Sequence, residues 1–266
     1  MRPLVIALLT DFGEADWYVG VLKGVILGVN PEARVIDVTH AIPRHDARAA
    51  SFALVASRKF FPPGTIFVVV ADPGVGGPRK ILCATSGGRT YLAPDNGALA
   101  EVLDADGYED LVSVENPCFM LQPVSPTFHA RDVFAPVAAH LSLGLPVGQL
   151  GPKLDSFVRG EARPPEVRGN SAVVAIRWVD SFGNLITNCP AELAGELAAR
   201  WGGIAANAGP ARAIGFAKTY EDVSPGAPLC LVGSSGFLEI SIRGGSAARE
   251  LGLGLGGAVT LEAPCR

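Results

Sequence analysis

Apolar residues in the first half of the chain gather in short blocks, and each block stops at a polar cluster. Leu4-Val5-Ile6-Ala7-Leu8-Leu9 runs into Thr10-Asp11-Phe12-Gly13, and Val35-Ile36-Asp37-Val38 runs into Thr39-His40. Thr65-Ile66-Phe67-Val68-Val69-Val70 runs into Ala71-Asp72-Pro73-Gly74, and Thr90-Tyr91-Leu92 into Ala93-Pro94-Asp95-Asn96-Gly97. Unbroken runs rich in β-branched and aromatic residues are the pattern of strands buried on both faces, as in a parallel sheet. Helical patterns separate them, over 16–30, 46–60, 96–103 and 133–143. The second turns Ala49, Ala50, Ala53 and Leu54 inward and is ended by Pro62-Pro63-Gly64. In the first, Gly20, Gly24 and Gly28 share a face, which predicts a helix pressed closely onto the sheet. This alternation predicts an α/β layered domain with a mostly parallel sheet over residues 1–155. Residues 156–169 are charged and Pro-rich and read as a linker. Within 170–266, the stretches 172–179, 229–232, 237–242 and 258–261 read as short strands between Gly-rich turns, a smaller β-domain.

Composition narrows the function classes. The chain has 266 residues, 48% of them hydrophobic, enough for real cores in one large or two moderate domains. Net charge is −4 and Lys and Arg form no stripe, which argues against a nucleic-acid partner. The first apolar run is too short for a membrane span and enters Thr-Asp-Phe-Gly rather than a cleavage site, so it reads as a strand. Cys83, Cys118, Cys189, Cys230 and Cys265 are odd in number and scattered. They read as reduced, mostly buried thiols of a cytoplasmic protein, without the paired spacing of a zinc site. No glycine-rich dinucleotide fingerprint or P-loop is present.

The polar clusters supply the candidate chemistry. Asp72 would project from the end of a strand, where open α/β sheets place ligands, and the turn-rich Pro73–Pro78 stretch would deliver Arg79. Phe128-His129-Ala130-Arg131-Asp132 is the second such segment. Each cluster alone also fits a plainer role: a surface turn closed by an Asp–Arg pair, an N-cap at Asp11, a turn at Asp95-Asn96-Gly97. Their recurrence at successive strand ends fits one crevice. In the β-domain, Asp180-Ser181-Phe182-Gly183-Asn184 and Gly233-Ser234-Ser235-Gly236-Phe237 read either as hairpin turns or as binding loops. In the second reading Asp180 and Glu239 receive an ammonium, Ser234 and Ser235 a carboxylate, and Phe182 and Phe237 offer flat faces to a purine.

Taken in order, Thr10–Gly13, Tyr18-Val19-Gly20, Asp37–His40, Asp72–Gly76 with Arg79, Ala93–Gly97, Phe128–Asp132, Asp180–Asn184 and Ser234–Glu239 resemble the S-adenosyl-L-methionine (SAM) hydrolase family, also called SAM hydroxide adenosyltransferases. The family is related to the SAM-dependent fluorinase and chlorinase. The resemblance implies an α/β domain, a β-barrel-like C-terminal domain, and a homotrimer with SAM bound between subunits. It implies a water-handling triad of Asp72, Arg79 and His129. For such a substrate, side-chain chemistry suits Asp11 to the ribose diol, Asn184 to the adenine edge, and Asp180, Ser234 and Glu239 to the methionine group. The reaction implied is hydrolysis of SAM to adenosine and L-methionine, with no metal or redox cofactor, in a family associated with the (R)-sulfonium epimer. A SAM-dependent halogenase and a non-catalytic SAM or adenosine sensor are the alternatives. Against the halogenase, the fluorinase has tyrosine at the position of Asp72 and threonine at that of Val75. The chain departs from the family pattern at Ala130, where Gly is usual, and at Arg243, where Asn is common. His45 stands where the fluorinase has a site-lining tryptophan. His40 and His140 are expected to be structural, and Arg131 with Asp132 a local ion pair.

Overall fold

The computed structural model describes residues 4–160 and 164–264, in two compact units, Met1–Ala162 and Arg163–Arg266. In chain order the first unit contains β1 (Val5–Thr10), α1 (Tyr18–Val29), β2 (Arg34–Thr39), α2 (Ala47–Arg58), β3 (Ile66–Val70), β4 (Ile81–Ser86), β5 (Arg89–Pro94), α3 (Ala100–Asp106), β6 (Asp110–Ser113) and α4 (Ala135–Ser142). Its sheet has the order β2-β1-β3-β5-β4-β6. The first four strands are parallel; β4 runs antiparallel to both β5 and β6. β4 and β5 form a hairpin through Gly87 and Gly88, both at positive φ, as the favoured two-residue turn requires.

Helices cover both faces of the central strands, which is why β1 and β3 are almost wholly apolar, whereas edge strand β2 carries Arg34 and Asp37. Ile6, Leu8, Ile66, Val68 and Leu92 pack with Leu22 and Ile26 of α1 and with Phe134, Val137 and Leu141 near α4. α2 and α3 lie against the alternate residues; there Phe67 stacks on Tyr91 at 5.5 Å. α1 corrects one expectation. Val19, Leu22 and Ile26 are its buried residues, whereas Gly20, Gly24 and Gly28 lie on the exposed side, where an added Cβ would meet nothing within 4 Å. Leu22 is two residues from Gly20, about 200° around the helix, so burying the larger side chains turns the glycines outward. Asp46 caps α2 from outside, its carboxylate accepting from the Arg48 and Ala49 amides. The third helix begins at Ala100, after the Asn96-Gly97 turn, and the fourth is entered through a π-helical turn over Ala130–Phe134.

The second unit contains β7 (Glu166–Arg168), β8 (Ser171–Val179), β9 (Leu185–Pro190), α5 (Ala191–Trp201), β10 (Ala205–Ala208), β11 (Ala211–Gly215), β12 (Pro228–Val232), β13 (Phe237–Ile242), α6 (Ala247–Leu251) and β14 (Ala258–Glu262). The antiparallel order is β11-β10-β14-β8-β9-β13-β12, with β7 beside β8. A bridge between Phe216 and Cys230, with Ala217 N donating to Cys230 O at 2.8 Å, brings the two ends together into a nearly closed barrel. Val174, Ile176, Leu185, Leu238, Ile240 and Leu261 fill it. α5 buries Ala194, Leu197 and Trp201 and ends at Gly202 in the left-handed region.

Cys83, Cys189 and Cys230 are buried free thiols, Cys118 is exposed, and Cys265 lies outside the described residues. Among the described residues no helix is long and apolar enough to cross a membrane. The placement of the core yields a stability contrast. Leu8→Ala, fully buried, is expected to cost about 3 kcal/mol, whereas Ile36→Ala, at a residue 44% exposed, stays within about 0.5 kcal/mol, measured by denaturant unfolding. Equal losses would contradict the placement of β2 at the sheet edge.

Candidate active site

β1 and β3 are parallel neighbours, with Thr10 opposite Val70, so the residues after them, Asp11 and Asp72, emerge together at the carboxyl edge of the sheet. Beyond Asp72 the chain curls through two tight turns, Val75 N to Asp72 O at 3.3 Å and Gly77 N to Gly74 O at 3.0 Å. Gly76 sits at φ +77°, and a Cβ there would come within 2.2 Å of the Pro126 carbonyl oxygen, so this loop lies against the segment that leads to His129.

The curl returns Arg79 onto Asp72. Arg79 Nε lies 3.1 and 3.0 Å from the two carboxylate oxygens, and Nη2 donates to Oδ2 at 2.5 Å. The same Nη2 contacts His129 Nδ1 at 2.9 Å. The side chains of Asp72 and Arg79 are 5% and 12% exposed. A guanidinium only donates, so Nδ1 must present its lone pair, and the imidazole proton resides on Nε2. Burial, and then the Arg79 charge, push the His129 pKa below the usual histidine value against the pull of Asp72 and Asp132. The positive charge of the cluster is therefore that of Arg79, and His129 is a neutral hydrogen-bond donor.

A cavity of 240 Å³ opens beside this cluster, with Asp11, Asp16, His45, Asp72 and His129 in its wall. Phe12, Tyr18 and Phe128 form an aromatic side to it, their ring centroids 5.2 to 6.1 Å apart. Asp11 Oδ2 accepts from the His45 amide at 2.9 Å. The sequence pattern starts the first helix at Asp16 and assigns that residue no role. α1 begins at Tyr18, which leaves Asp16 in the preceding loop, facing the cavity.

Neighbouring polar residues are occupied locally. His40 is buried, with Nδ1 2.8 Å from Thr10 Oγ1 and Nε2 3.0 Å from Asp37 Oδ1. Arg131 grips buried Asp132 through two bonds of 2.6 and 2.8 Å, and Asp132 also accepts from the Ser125 amide; Arg131 holds the carboxyl below its usual range. His140 meets the ring of Phe119 edge-on at 5.2 Å. Ala130 is buried at the start of the π-helical turn. Arg243 donates to Val223 O at 2.7 Å and pairs with Glu221.

The second unit holds its candidate residues in two groups. After β8, Asp180 organises a turn: Oδ1 accepts from the amides of Phe182 (3.0 Å) and Asn184 (2.9 Å), and Oδ2 from Asn184 Nδ2 (2.9 Å). Phe182 projects outward, 76% exposed, while Asn184 is buried and retains its amide oxygen as an acceptor. These three residues line a cavity of 890 Å³ together with Tyr220, Ser246 and Arg249. Ser234, Ser235 and Phe237 belong to the β12–β13 hairpin and do not line it. Ser234 is exposed; Ser235 and Phe237 are half-buried. Glu239, 4% exposed, accepts from Tyr220 Oη at 2.5 Å and from Ser241 Oγ at 3.1 Å. Desolvation raises the Glu239 pKa, and burial with the Glu239 bond pushes Tyr220 up to about 12. Tyr220, absent from the sequence reading, thus links the two groups. Among the described residues no three His, Cys, Asp or Glu side chains are arranged to hold a metal ion.

The Arg79–His129 contact has a direct spectroscopic consequence. Nitrogen NMR is expected to show His129 protonated at Nε2 and bare at Nδ1 at neutral pH, with a midpoint below 6.5. Arg79→Met is expected to raise that midpoint by removing the neighbouring charge. A wild-type midpoint above 6.5 would contradict the neutral donor.

The SAM hydroxide adenosyltransferase N-terminal domain model matches residues 6–151, and the C-terminal domain model of the same family matches residues 174–260. The (R)-S-adenosyl-L-methionine hydrolase of Thermus thermophilus is 38% identical over 95% of this chain and 96% of its own. A crystal structure of an uncharacterized conserved protein from Thermotoga maritima superposes with a TM-score of 0.92 at 37% identity, covering 98% of this chain and 100% of that one. A fluorinase from Nocardia brasiliensis is more distant, 30% identical over 70% of this chain and 71% of its own. With both domain models matched in order, the chain belongs to the SAM hydroxide adenosyltransferase family.

Proposed function

We propose that this protein hydrolyses SAM, as the (R)-sulfonium epimer, to adenosine and L-methionine. The observation that carries the reading is the buried Asp72–Arg79–His129 cluster beside the cavity. The sulfonium makes methionine a good leaving group, so the task is to aim a water at ribose C5′ and take its proton. The Asp72 carboxylate is the acceptor for that proton. Arg79 fixes the carboxylate, and the Nε2–H of neutral His129 orients the water oxygen. The C5′–sulfur bond breaks as the C5′–oxygen bond forms, the sulfur keeps the electron pair, and the proton leaves through Asp72. This chemistry calls for no cofactor.

In this reading residues 1–155 carry the water and ribose groups, with Asp11 on the diol, and 170–266 carry the adenine and methionine contacts; of the 156–169 stretch read as a linker, Glu166–Arg168 pairs with β8 as β7. Asn184 reads the adenine edge, Phe182 and Phe237 flank the purine, and Asp180, Ser234, Ser235 and Glu239 serve the methionine group. Asp180 also holds Asn184, and Glu239 holds Tyr220, so changes at either disturb the adjoining wall. The family resemblance supports a homotrimer with sites shared between subunits, and free, mostly buried thiols support a cytoplasmic setting.

Asp72 separates this reading from halogenation, because a carboxylate repels the halide a halogenase must seat. Reaction in heavy-oxygen water is expected to label the adenosine 5′-hydroxyl, and Asp72→Asn to lower kcat about 10²- to 10⁴-fold with smaller effect on adenosine affinity. Faster formation of 5′-chloro-5′-deoxyadenosine than of adenosine in chloride buffer would overturn the hydrolase, and tight binding without turnover of either epimer would favour a sensor. For the shared site, mixing inactive Asp72→Ala and Asn184→Ala chains after dissociation is expected to restore part of the activity. No recovery despite verified exchange would place the site within one chain.

A further inference from the structure

His45 is a side-chain-bearing residue held at φ +65°. It is third in a turn from Pro43 to Asp46, closed by Asp46 N donating to Pro43 O at 3.0 Å. Positive φ at that position favours glycine, then asparagine, because a Cβ crowds the backbone there; histidine is among the side chains that do adopt it, at a cost glycine does not have. Neighbouring bonds hold the conformation in place. Ile42 N donates to Thr10 O at 3.4 Å, stitching the turn to the end of β1, and Asp46 is committed to capping α2. From this backbone the His45 N–H reaches Asp11 Oδ2 at 2.9 Å. Among the described residues it is the one hydrogen bond made to the Asp11 side chain.

We infer that His45 is a positioning residue acting through its backbone: the left-handed turn aims its amide at Asp11 and pins one carboxylate oxygen, so that the other is presented as a fixed acceptor to a ligand diol. The inference rests on the assignment of Asp11 to the ribose. Strain is retained here because relaxing φ to negative values would swing the amide away from Asp11. Without that donor the carboxylate would be free to rotate, and the ligand would have to order it on binding.

Adenosine affinity, measured by calorimetry on the full chain, tests this. Glycine is at ease at φ +65° and keeps the amide in place, whereas valine is driven out of that region. His45→Gly is expected to bind adenosine about tenfold more tightly than His45→Val, the loss expected for a hydrogen bond to a charged group, with His45→Ala between them. In an Asp11→Ala background the difference between His45→Gly and His45→Val is expected to vanish, since the amide then has no carboxylate to hold. Equal affinities for the three variants in the Asp11 protein, or a Gly–Val difference that persists without Asp11, would overturn the inference. If His45→Val does not fold, the Gly–Ala ordering and its disappearance in Asp11→Ala decide the same question. An Asp11→Ala chain that binds adenosine as well as wild type would instead remove the ribose assignment itself.

Discussion

One guanidinium holds the candidate active site together. Arg79 lies between a carboxylate and an imidazole and donates to both from the same nitrogen. Its burial beside Asp72 carries a desolvation cost that is offset only with good geometry, and the several short contacts to the carboxylate provide it. Removing Arg79 would leave a buried carboxylate without its cation and a histidine lone pair without its donor. The arrangement also divides chemical labour. Arg79 cannot release its proton, and its contact occupies the bare nitrogen of His129, so in the proposed hydrolysis the proton falls to Asp72.

The scaffold places these groups by backbone geometry. Parallel pairing of β1 with β3 brings Asp11 and Asp72 to one edge. Gly76 lets the returning loop lie against Pro126, and the π-helical turn that starts after His129 fixes that segment from the other side. Asp132, locked by Arg131 and the Ser125 amide, braces the same stretch without entering the cavity. The barrel unit follows a different logic. There Asp180 shapes its own turn and buried Glu239 holds Tyr220, so both carboxylates organise the walls around the candidate binding residues.

Much of this was written locally. The runs at Leu4–Leu9 and Thr65–Val70 determined buried strands, because strands covered by helices on both faces have no position for a polar side chain. The order of the motifs around Asp11, Asp72, Arg79, His129, Asp180 and Asn184 determined the family. Signals for α5 are also present, with Pro190 before it, Gly202 after it, and Ala194, Leu197 and Trp201 at helical spacing, but they lie among strand-like stretches that share their apolar content. Likewise Gly87-Gly88 marked the β4–β5 hairpin that departs from the parallel pattern.

Tertiary structure alone decided the rest. Arg79 follows Asp72 by 7 residues and precedes His129 by 50, and their meeting depends on loop curl and strand order that no local period encodes. The neutral His129 tautomer follows from that meeting. The outward face of Gly20, Gly24 and Gly28 was set by competition with Leu22 and Ile26 for the core. His45 at φ +65° is not legible in the sequence, since histidine adopts this conformation far less often than glycine, and bonds to Thr10, Asp11 and Pro43 with the capped start of α2 hold it there. Sequence determined which faces are buried because burial is a property of successive residues. Structure determined which polar groups meet because that depends on where distant strand ends come to rest.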